Sequence, residues 1–116
     1  MKQLKLDYIE TLPEKRGRIA LLFQKNQLEE LETEFHKMKG TGKTYGLPEV
    51  SLLGELLEKI CMQAPGALTE AIPVCLKFID EIFKFRKLDQ AFLIEDSDDF
   101  QKLKLKIRKP STSESK

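Results

Sequence analysis

The sequence predicts an all-α fold, an antiparallel four-helix bundle with short connections, and three observations predict it. Apolar residues recur three and four apart in four consecutive segments between residues 12 and 88. Proline and glycine punctuate the joints, leaving links of a few residues that suit antiparallel neighbours. Over the same span no convincing alternation of apolar and polar residues marks a strand.

The first helix is expected from about Leu12 to Gln24. Thr11 and Glu14 stand three apart as a capping-box pair, and Ile19, Leu22 and Phe23 give the apolar stripe, with Gly17 weakening it. Asn26 and Glu29 form a second cap pair. Behind it Leu28, Leu31, Phe35, Met38, Gly42 and Tyr45 make a core stripe of about five turns. Gly40 and Gly42 each cost roughly 1 kcal/mol relative to alanine, yet the stripe continues across them. Gly46 supplies a C-cap, and Pro48 opens the third helix, about Pro48 to Met62. Its core face carries Val50, Leu53, Leu57 and Ile60, widened by Leu52 and Leu56. Ala64-Pro65-Gly66 ends it. The fourth, about Ala67 to Lys87, holds Leu68, Ile72, Cys75, Ile79, Ile82 and Phe83, and Pro73 calls for a kink or a late start.

The ends follow other patterns. Gln3 to Ile9 fits a short extra N-terminal helix or an extended lead-in. Residues 95–99 (EDSDD) are acidic, and Lys102 to Lys109 (KLKLKIRK) alternates basic and apolar residues, as Lys2 to Tyr8 also alternates. A two-stranded pairing of the termini is therefore conceivable. The division expected is a bundle domain over residues 1–93 and a flexible or extended C-terminal tail over 94–116. The closing PSTSESK has too little apolar content to order itself.

At 116 residues the chain suits one domain. Lys plus Arg number 20 against 19 for Asp plus Glu, a formal net charge of +1 that gives no electrostatic case for nucleic acid. No apolar run is long enough to span a membrane, and the start, MKQLKLDYIE, lacks the apolar stretch of a signal peptide. A cytoplasmic location is expected. Cys61 and Cys75 are the only cysteines and His36 the only histidine, so the soft ligands cannot complete a four-ligand zinc site. Both thiols fall on apolar helix faces and read as small hydrophobes.

The stretch HKMKGTGKTYG, from His36 to Gly46, carries the chemistry. Its GTGKT imitates the end of a P-loop, but that motif needs a glycine at position 37, occupied here by Lys37, and a buried strand before it. The residues in front, LEELETEF, have the pattern of a charged amphipathic helix. On a wheel of about 100° per residue, Glu29, Glu32, Thr33, Lys39, Gly40 and Lys43 fall within roughly 60° of His36, while Phe35, Met38 and Tyr45 point to the core. His36 therefore faces solvent beside two lysines and a glycine. An exposed imidazole is a competent phosphoryl acceptor, two lysines can balance the added charge, and Gly40 clears space for a second protein.

His36-Lys37-Met38-Lys39-Gly40, closed by Gly46-Leu47, resembles the H-x-[LM]-K-G…G signature of histidine-containing phosphotransfer (HPt) domains, over about residues 12 to 88. Phe35 departs from it, standing where the family often has a small residue. The resemblance implies His36 as phosphoacceptor, Lys39 as the phosphate-stabilising cation, and Gly40, Lys43, Thr33 and Glu32 as the docking face for a receiver domain. It implies response-regulator receivers as partners, with a hybrid histidine kinase as a further candidate. It also implies no cofactor or metal of the chain's own, since the receiver would supply Mg²⁺. No nucleic acid or membrane partner is expected, and a monomer is. Without an ATP-binding module, autonomous kinase activity is not expected. The alternative is a helical adaptor of the same fold that docks on a receiver or kinase without accepting phosphate.

Overall fold

Four core helices form where the periodicity places them. The computed structural model describes the backbone of residues 2–115 and the side chains of residues 3–107. Its helices are α1 (Lys2–Glu10), α2 (Leu12–Gln24), α3 (Leu28–Thr44), α4 (Pro48–Gln63), α5 (Leu68–Lys87) and α6 (Asp98–Ser115). Short 3-10 turns occupy Pro65–Ala67 and Ile94–Asp96, and there is no strand among the described residues. The core of the α2–α5 bundle is built from Ile19 and Leu22, Leu31, Phe35 and Met38, Val50, Leu53, Leu57 and Ile60, and Ile72, Cys75, Ile79 and Ile82, all buried. Leu28, expected in that stripe, is exposed at the start of α3.

The helix ends explain the connections. Asn26, Gly46 and Asp89 all adopt positive φ, and the residue after each donates its N–H five residues back, to Leu22, Gly42 and Phe85 respectively. This is the 6→1 bond of a Schellman cap. Asn26 therefore ends α2 and does not begin α3, whose N-cap position is Gln27 with no side-chain cap bond. Thr11 does not cap α2 either: α1 runs almost straight into it, and the Thr11 hydroxyl donates to the Tyr8 carbonyl at 2.6 Å. Gly46, at φ +71°, closes α3 as its sequence position predicts. Helix α5 begins at Leu68 and continues through Pro73. The carbonyl that this proline leaves without an amide belongs to Thr69, on the exposed first turn, where water can serve it.

The C-terminal segment corrects the sequence reading. Among the described residues it is helical from Asp98 rather than extended, and the termini do not pair as strands because α1 is also a helix. Phe100, Leu103 and Ile107 face the bundle at helical spacing, the first two buried, while Leu105 is 62 % exposed. The period-two pattern of KLKLKIRK is thus overridden by the three- and four-residue spacing that starts at Phe100. The acidic run supplies Asp98 and Asp99 to the first turn of α6, where the helix dipole favours them. Lys77–Asp99 and Glu70–Lys106 ion pairs flank the contact with α5. The expectation of disorder in PSTSESK falls on residues 110–116, outside those whose side chains are described.

Candidate functional site

Helix α3 packs most extensively against α4, and two glycines let the backbones meet. A Cβ on Gly42 would lie 2.4 Å from the Ser51 amide nitrogen, and one on Gly54 would lie 2.6 Å from both the Phe35 carbonyl oxygen and the Lys39 nitrogen. The Ser51 hydroxyl donates to the Lys39 carbonyl at 2.9 Å, tying α4 to α3 between these points. Residues 40–44 are helical, with GTGKT continuing α3 to Thr44. Its amides are committed to a helix rather than splayed around an anion, so the P-loop reading is excluded by geometry.

On the outer face of α3 the His36 side chain is 70 % exposed. Its Nδ1 lies 2.9 Å from Oε2 of Glu58 on α4, a carboxylate only 16 % exposed. A carboxylate only accepts, so Nδ1–H is the donor and the neutral ring carries its lone pair on Nε2. Nε2 has no hydrogen-bond partner among the described residues.

The residues expected around the histidine are on this face, with different parts to play. Lys39 is half-buried and Lys43 exposed, and neither is held in an ion pair among the described residues. By contrast Lys37, one residue from His36 but on another face, is shared with Arg18 around buried Glu34. Gly40 is exposed, and a Cβ there would meet nothing within 4 Å. Thr33 turns its hydroxyl back on its own helix, donating to the Glu29 carbonyl at 3.1 Å. Glu32 is half-buried and, with Glu58, stands near Cys61, whose thiol is pushed up to about 12, first by burial and then by those carboxylates. Cys75 is raised further by burial. Both cysteines are free and buried, the packing role that their apolar faces predict.

Sequence reasoning missed Glu58. It is one of two acids on the polar side of α4, with Glu55, and only the tertiary contact at Gly54 singles it out. Thr41, inside the GTGKT letters, plays a structural part. Its Oγ lies 2.9 Å from both the Tyr8 phenol and the Lys37 carbonyl, anchoring α1. Burial pushes the Tyr8 phenol above its ordinary value.

No helix among the described residues is long and apolar enough to cross a membrane. A comparison with curated proteins finds no significant match, and neither does a comparison with solved structures. A scan of family models does match: the model described as Hpt domain covers residues 3–91, from α1 through the end of α5 and including the whole His36 face. That span is most of the chain, and the chain belongs to the Hpt domain family, with the phosphotransfer-related role that family implies.

Proposed function

We propose that the protein is a phosphorelay intermediate that takes a phosphoryl group from a phospho-aspartyl receiver domain onto His36 and passes it to another receiver. The observation that carries the reading is the His36–Glu58 contact: Nδ1 is engaged at 2.9 Å while the ring stays 70 % exposed, so Nε2 is the available nucleophile. Its lone pair attacks phosphorus, and the N–P bond forms as the P–O bond to the aspartate breaks, with the aspartate leaving as a carboxylate. No proton has to move. The ring becomes a phosphoimidazolium with its proton still on Nδ1, and the Glu58 carboxylate offsets the positive charge that develops there. In the onward transfer the N–P electron pair returns to Nε2.

Lys39, free of any ion pair among the described residues, would stabilise the phosphoryl oxygens, with Lys43 a turn further along. Gly40 leaves the partner room beside the ring. Glu32 and Thr33 flank the histidine on the other side as the rest of the docking face. Mg²⁺ and the acidic pocket would belong to the receiver, and such transfers depend mainly on positioning and charge stabilisation.

The test is incubation with receiver domains charged by a small-molecule phosphodonor. Acid-labile, base-stable phosphate is expected on the native chain and none on the His36→Gln variant, which should remain folded. Receivers that bind the native chain without transferring phosphate would instead establish a docking adaptor of the same fold.

A further inference from the structure

Gly54 stands one turn before Glu58 on α4. A Cβ there would meet the Phe35 carbonyl oxygen and the Lys39 nitrogen at 2.6 Å, and Met38 Cβ at 2.9 Å. Two of those atoms are α3 backbone on either side of His36, which cannot swing aside as a side-chain tip does. At this point along the contact, α4 can come this close to α3 only because residue 54 has no side chain. One turn of helix is stiff, so the spacing at Gly54 is carried to Glu58. The hydrogen bond at 2.9 Å has little slack: moving α4 out by about an ångström takes it beyond hydrogen-bond range. Glu58, at 16 % exposure, has little freedom to follow.

We propose that Gly54 is a positioning residue for the site: it sets the interhelical spacing at which Glu58 holds the Nδ1–H of His36, and so decides which imidazole nitrogen is presented to a phosphodonor. The proposal rests on His36 being the phosphoacceptor. It assigns a part to a buried residue that touches neither the phosphate nor the partner, and it separates Gly54 from Gly40, whose missing side chain concerns the outer face.

The experiment compares the native chain with Gly54→Ala, Glu58→Asp and Glu58→Gln. Two-bond ¹H–¹⁵N spectra, recorded where the imidazole is neutral, read the tautomer, and phosphoramidate serves as a partner-free phosphodonor. The native ring should be predominantly the Nδ1–H form. Gly54→Ala and Glu58→Asp should both lose that preference and accept phosphate roughly tenfold or more slowly. Glu58→Asp shortens the reach without touching the α3–α4 contact, so a native tautomer there removes the proposal's premise whether or not Gly54→Ala folds. Glu58→Gln keeps an acceptor oxygen at the same reach and should keep the Nδ1–H tautomer, which separates geometry from charge. Native tautomer and native rate in Glu58→Asp, or in a folded Gly54→Ala, would overturn the proposal. A native chain that takes no phosphate at His36 while its tautomers follow this pattern would sink the phosphotransfer reading and leave the spacing role standing.

Discussion

Lys39 and Gly40 lie beside the imidazole for different physical reasons, and substitution separates them. Lys39→Ala removes a cation with no ion pair among the described residues, one turn from the ring, so transfer should slow while receiver binding persists. A charge-assisted contact of this kind is worth on the order of 1.5–3 kcal/mol, or roughly ten- to a hundredfold in rate if it is made mainly in the transition state. Gly40→Gln fills the open space beside Gly40, on the proposed docking face. Receiver affinity should fall, while the isolated protein gains roughly 0.5–1 kcal/mol because glutamine is the better helix former. Titration calorimetry, transfer kinetics and thermal melts on both variants check the contrast; unchanged affinity in Gly40→Gln would remove the clearance role. His36, Lys39 and Gly40 were legible in the sequence because they share one helix, and its period alone places them on one face. Glu58 was not: it reaches His36 across a contact between two helices, and no periodicity within either one records that spacing.

Glycine has opposite meanings at two positions of α3. Gly40 is open to solvent, but a Cβ on Gly42 would run into the Ser51 backbone at 2.4 and 2.8 Å and the Leu47 carbonyl at 2.9 Å. Gly42→Ala is therefore expected to destabilise the bundle by about 1–3 kcal/mol through overpacking, despite alanine's higher helix propensity. Gly40→Ala is expected to stabilise it by roughly 0.8–1 kcal/mol. Denaturant unfolding of the two variants measures both signs, and equal effects would mean that the helices are not held this close. The core stripe passes through Gly42, so its inward position was legible, whereas the reason for glycine there was not. The helix ends show the same limit. Asn26 reads as a start in the sequence, but asparagine also tolerates the left-handed conformation of a helix stop, and its positive φ decides for the stop. Gly46 is unambiguous because glycine adopts that conformation without steric cost.

At the scale of the whole molecule, α6 is the part that sequence patterning misled. The family match ends at residue 91, yet Phe100 and Leu103 beyond it are 3 % and 2 % exposed. Phe100 packs edge-on against Phe78 of α5 at 6.2 Å between ring centroids. Residues 94–107 therefore belong to the folding unit and do not trail from it. Phe100→Ala should cost about 3–5 kcal/mol and lower the midpoint of a single cooperative transition. A separate early transition that leaves the rest of the bundle intact would show α6 to be an appendage. The alternating letters of KLKLKIRK hid this, because five basic residues leave only three apolar ones to carry the period.

The proposed relay turns on His36 receiving phosphate at the nitrogen that Glu58 leaves free. The most direct measurement is a ¹H–¹⁵N–³¹P correlation spectrum of the protein phosphorylated by a charged receiver. The phosphorus is expected to couple to Nε2 of His36, with Nδ1 still protonated. Phosphorus on Nδ1, on any other residue, or on none would contradict it.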